Sequence, residues 1–180
     1  TLAHELGHGY HGDCLVQAEP LNSDYPMPLA ETASIFCETI VINAALKTAT
    51  PAEAYVILEN ELLGATQVIV DIYSRYLFES RVFKQREEGS LNVDEFCSLM
   101  QQAQIDAYGE GLDPAYLHPY MWACKPHYYY ADSNFYNFPY AFGQLFAAGL
   151  YERAKKEGPE FAKTYATLLS DTGSMSCEDL

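Results

Sequence analysis

A mainly α fold is what this 180-residue sequence predicts, and three observations predict it. Thr50-Pro51-Ala52-Glu53 is a full helix start signal: a capping threonine, proline at the first helical position, and glutamate completing a capping box. Apolar positions run through Ile35, Phe36, Ile40, Val41 and Leu46 as on a helix buried on most sides. No stretch reads as a convincing strand, and there is no internal repeat or low-complexity tract.

The elements follow in order. A first helix runs from Leu2 to about Cys14, and the turn-rich Glu19–Pro26 stretch separates it from a second, Leu29 to about Lys47. The helix opened at Thr50 extends to about Glu88, with an interruption near Gly64, and stops at Gly89. Asn92-Val93-Asp94-Glu95 opens another, which Gly109 closes. From Gly111 to Tyr140 prolines, turn residues and tyrosines mark a loop-rich segment. It leads into a helix from Phe135 or Tyr136 to Lys156, and a last helix spans Glu160 to Leu169.

Length and composition fit one domain with a sizeable core, since half the residues are apolar and 14% aromatic. The net charge of −15 argues against nucleic acid, whose phosphates need clustered Lys and Arg, and against anionic membrane surfaces. No apolar run is expected to reach transmembrane length. The scattered cysteines, Cys14, Cys37, Cys97, Cys124 and Cys177, form no C-x-x-C pair and read as reduced thiols of a cytoplasmic protein. The chain opens Thr1-Leu2-Ala3 and closes on what looks like a cap for a further helix. The expectation is therefore a single helical region over 1–180 from a longer chain, lacking its N-terminal part.

His4-Glu5-Leu6-Gly7-His8 matches H-E-x-x-H. On a helix the two imidazoles share a face and can reach one zinc ion. Glu5 beside them can take a proton from the attacking water and hand it to the leaving amine. A catalytic zinc keeps three protein ligands and an open position, and Glu31 is the candidate third ligand, because a carboxylate opening an apolar helix is costly unless paired or metal-bound. Glu38, two turns on, is either a group that hydrogen-bonds a ligand histidine or tyrosine, or an ordinary surface carboxylate. His11 reads as a neighbour of the site or as solvent-exposed, and His118, in Leu117-His118-Pro119, as structural.

These residues resemble a family. His4-Glu5-Leu6-Gly7-His8 with Leu29-Ala30-Glu31 is similar to the zinc site of the oligoendopeptidase F and thimet oligopeptidase group. Pro126-His127-Tyr128-Tyr129 and Phe135-Tyr136-Asn137-Phe138-Pro139-Tyr140-Ala141-Phe142-Gly143 resemble the substrate-side segment of oligoendopeptidase F. The resemblance implies a helical catalytic domain of gluzincin type, with one zinc per chain held on two adjacent helices. It implies an endopeptidase acting on short peptides inside a channel, completed by an N-terminal part against which this region packs. His127 matches the family histidine, Tyr136 a tyrosine that supports the oxyanion, and Tyr140 a second one whose spacing differs in the thimet branch. Phenols and imidazoles suit that task, since they donate hydrogen bonds to oxygen as negative charge develops. Packing is the other reading for Tyr128, Tyr129, Tyr130, Tyr136 and Tyr140. The competing functions are an aminopeptidase-type or thermolysin-like gluzincin, or a metal-binding helical domain inactive by itself; cobalt or manganese would also suit the ligand set.

Overall fold

The computed structural model describes residues 2–132 and 134–180, and among these residues there are helices and turns and no strand. Among the described residues seven α-helices follow in chain order: α1 Leu2–Leu15, α2 Thr32–Leu46, α3 Pro51–Thr66, α4 Ile72–Arg86, α5 Val93–Tyr108, α6 Phe138–Glu157 and α7 Phe161–Asp171. The mainly α expectation holds. Its start signals work as written: the Thr50 amide donates to Glu53 at 2.8 Å, and Asn92 and Glu95 form a reciprocal capping box. Gly109 closes α5 with φ of 54°, a left-handed conformation that glycine adopts without strain.

The chain forms two compact units, Thr1–Asn60 with Pro139–Leu180, and Glu61–Phe138. In the first, α1 packs along α2, and α7 packs on α1. Its core joins Ala33 and Phe36 of α2 to Ala147 and Leu150 of α6 and to Phe161, Tyr165 and Leu169 of α7. In the second, Phe78 of α4 meets Met100 and Ala103 of α5, walled by Phe96, Met121, Trp122 and Tyr128.

Four boundaries differ from the sequence reading, each for a local reason. The helix expected from Leu29 begins at Thr32, because Met27–Leu29 forms a 3-10 turn first. The interruption expected near Gly64 is a π-helical turn at Gln67–Asp71. The helix expected from Phe135 or Tyr136 begins at Phe138, because Phe135 has φ of 56° and cannot continue a right-handed helix. The loop-rich Gly111–Tyr140 segment contains short 3-10 turns at Pro114–Tyr116, Met121–Cys124 and Pro126–Tyr129. One expectation is corrected outright: Met27–Leu46 is long and apolar enough to cross a membrane by length and composition. Within it Thr32, Ala33, Ser34 and Phe36 are buried and α2 packs along α1, whereas Ile40 and Val41 are exposed.

Candidate metal centre

His4 and His8 stand one turn apart on α1, and their Nε2 atoms lie 3.2 Å from each other. Glu31 occupies the position just ahead of α2 rather than lying inside that helix. Its Oε2 reaches His4 Nε2 at 3.2 Å and His8 Nε2 at 3.6 Å. Three donor atoms from two segments thus converge on one point, a grouping that can hold a cation. Glu38 faces the other nitrogen of His4, with Oε2 3.4 Å from Nδ1. A carboxylate there favours a proton on Nδ1, which leaves the Nε2 lone pair for a metal.

Two glycines make this convergence possible. A Cβ on Gly7 would lie 2.6 Å from Ser34 Cα and 2.8 Å from Ala33 C, so only glycine lets α1 rest backbone to backbone on the start of α2. A Cβ on Gly143 of α6 would sit 2.7 Å from Glu31 Cβ. The base of the Glu31 side chain is therefore backed by α6, while its carboxylate is held by Ser34, whose buried hydroxyl donates to Glu31 Oε2 at 2.9 Å. Sequence reasoning missed Ser34; its only signal is its place one turn beyond Glu31.

Glu5, the expected proton carrier, is exposed on α1 beside the two histidines. Tyr140 is half-buried in the first turn of α6, one turn ahead of Gly143. His127, Tyr136 and the neighbouring tyrosines belong to the second unit. There the Tyr136 ring lies along His127, with centroids 6.0 Å apart and planes 28° from parallel. Burial, then the positive charges of Arg75 and Lys125, push the His127 imidazole below its ordinary pKa. Among the described residues its buried Nε2 has no hydrogen-bond partner. Tyr128 packs on Phe78 and is pushed up by burial, the signature of a core residue, whereas Tyr129 and Tyr130 are exposed.

Of the two readings of His11, neighbour of the site or solvent-exposed residue, the second fails: it is fully buried. Its Nε2 meets Thr172 Oγ1 at 2.8 Å, and its ring stacks on Tyr25 at 4.0 Å. The Thr172 hydroxyl donates to the Leu169 carbonyl, so it accepts from His11 Nε2–H. Burial, and then the neighbouring His8, push this imidazole down to about 4. A depressed folded-state pKa means that stability is full above the unfolded value near 6.5 and is lost as pH falls from there through about 4. Urea unfolding at pH 7 and pH 5 should show a loss on the order of 2 kcal/mol in wild type that is largely absent in His11→Gln. At His118 the backbone exchanges two hydrogen bonds with the buried Gln104 amide, each 2.9 Å.

The model of Peptidase family M3 matches residues 1–180. The chain belongs to peptidase family M3. Within that family it is 32% identical to the chromosomal oligoendopeptidase F of Lactococcus lactis subsp. cremoris, over 85% of this chain and 25% of the relative. It is 31% identical to the group B oligopeptidase PepB of Streptococcus agalactiae, over 94% of this chain and 28% of the relative. A crystal structure of a candidate peptidase from Chlamydophila abortus superposes with a TM-score of 0.78 at 29% identity, covering 96% of this chain and 29% of that one. The chain thus spans about a quarter of the length of the M3 relatives it matches.

Proposed function

We propose that this chain is the metal-holding core of a zinc-dependent endopeptidase that hydrolyses short oligopeptides in the cytoplasm. The observation that carries the reading is the triangle of donors, with edges of 3.2, 3.2 and 3.6 Å. Tetrahedral zinc with bonds of about 2.0–2.1 Å asks for ligand-to-ligand distances of about 3.3–3.4 Å, so the donor set fits the ion. His4, His8 and Glu31 would hold one zinc per chain, leaving an open position for water or substrate. The M3 relatives named as oligopeptidases support short peptides as substrates. Their greater length supports a catalytic core that works packed against further polypeptide. Five unpaired cysteines support a reducing compartment.

Zinc, when bound, supplies a Lewis acid that acidifies water and polarises the scissile carbonyl. Glu38 holds His4 in the tautomer that presents Nε2 inward. Glu5, beside the ligand histidines, takes the proton from attacking water and returns it to the leaving amine. By their resemblance to the substrate-side segment of oligoendopeptidase F, His127, Tyr136 and Tyr140 are the candidate donors to the oxygen on which negative charge develops.

Elemental analysis tests the centre directly. Wild type should carry one zinc per chain, Glu31→Ala should lose it or hold it far more weakly, and a chelator should stop peptide cleavage. Folded wild type without stoichiometric metal, together with cleavage that survives chelation, would end the reading.

A further inference from the structure

Tyr136 sits between two residues that α4 grips. On one side Phe135 has φ of 56°, in the left-handed region, which a bulky residue adopts only where its surroundings impose it. Its backbone N–H donates to Glu79 Oε1 at 2.8 Å, and its ring packs on Tyr76 and Phe83 with centroids 5.4 and 5.7 Å away. On the other side Asn137 Oδ1 accepts from Arg75 Nη1 at 3.4 Å. Arg75 and Glu79 are one turn apart on the same face of α4.

Arg75 is itself tied down. It is buried and paired with buried Asp71, the residue that ends the π-helical turn, and Asp71 also accepts from the Tyr108 hydroxyl at 3.0 Å. A buried ion pair is weak evidence for stability, because well-packed apolar residues often do as well or better. What the pair does supply is orientation, since it fixes a planar guanidinium whose remaining arm reaches Asn137. Because the Tyr136 and His127 rings lie face along face, whatever fixes Tyr136 also fixes one wall of His127. The buried, unpartnered Nε2 of His127 is a group that an outside partner would satisfy.

We propose that Arg75 and Glu79 are positioning residues that together hold Tyr136, and through it His127, in the orientation the peptidase reaction uses. This rests on the reading of His127 and Tyr136 as donors to substrate. Neither Arg75 nor Glu79 touches substrate; Arg75 acts through Asn137 and Glu79 through the Phe135 amide. The charged groups facing His127 are Arg75 from α4 and Lys125 from the turn before it, while Glu79 and Asp71 face its neighbour Tyr128.

The test uses the whole zinc-loaded protein and three variants: Glu79→Gln, Glu79→Ala, and Asp71→Asn with Arg75→Gln, a double change that strands no buried charge. Glu79→Gln keeps an oxygen acceptor for the Phe135 amide and should retain kcat within about threefold. Glu79→Ala and the double variant should lose kcat by at least about tenfold with KM within about twofold, the mark of misplaced transition-state donors. In the double variant the His127 imidazole, titrated by NMR, should move up toward its ordinary value, because a facing cation is gone. Wild-type kcat in a folded double variant, equal losses in Glu79→Gln and Glu79→Ala, or an unmoved His127 titration each overturn the proposal. If wild type cleaves no peptide, the proposed function fails, and the titration alone then decides whether Arg75 faces and governs His127.

Discussion

Glu5→Gln should leave zinc content unchanged and lower kcat by about a hundredfold to ten-thousandfold, the usual range for removing a general acid–base group. Glutamine keeps the size and polarity of the side chain but cannot take a proton from water. Glu5 is absent from the triangle formed by His4, His8 and Glu31, so the metal has no reason to leave. One residue along a helix is a rotation of about 100°, which places Glu5 beside the converging histidines rather than among their donor atoms. Peptide turnover and elemental analysis on the same preparation separate the two roles. Glu31→Ala should lose both metal and turnover, whereas Glu5→Gln should lose turnover alone. Wild-type turnover in Glu5→Gln would remove Glu5 from the mechanism and leave the metal site standing.

The parts of this molecule that were legible in its sequence are those written in local spacing. H-E-x-x-H places two imidazoles on one face because i and i+4 meet on any α-helix, and the structure does bring His4 and His8 together. The Thr50 and Asn92 starts were readable because a cap is a contact over three residues. Glu31 stood out because a carboxylate at the head of an apolar helix needs an explanation, and the structure brings it to the two histidines. Glu38 kept two readings in the sequence, and the structure places its Oε2 3.4 Å from His4 Nδ1.

What stayed hidden depends on partners distant in the chain. His11 read as a neighbour of the site or as solvent-exposed, and it is buried against Thr172 and Tyr25, neither of which its own helix announces. The left-handed backbone of Phe135, which delays α6, is tied to Glu79, far upstream on α4. Asp71, Arg75 and Tyr108 carry no motif at all, because their linkage exists only once α4 packs on α5.

Gly7 is where local preference and tertiary structure disagree, and a substitution measures which wins. By helix propensity alone, alanine in place of a mid-helix glycine stabilises by about 1 kcal/mol. At Gly9 and Gly12 of the same helix an added Cβ meets nothing within 4 Å, so Gly9→Ala and Gly12→Ala should show that gain. At Gly7 the added carbon would meet the backbone of Ala33 and Ser34, which cannot swing aside as a side chain could. Overpacking of this kind costs about 1–3 kcal/mol or more, which exceeds the propensity gain, so the sign reverses. Gly7→Ala should therefore lower the melting temperature by several degrees, at about 2–4 °C per kcal/mol for a chain of this size. It should also weaken zinc binding, because pushing α1 off the start of α2 draws His4 and His8 away from Glu31. Competitive chelation and thermal melts on the three alanine variants give both readouts. Equal stabilisation at all three glycines would mean that the contact between α1 and α2 is looser than the structure places it, and that the glycine ahead of His8 is not what brings the third donor within reach.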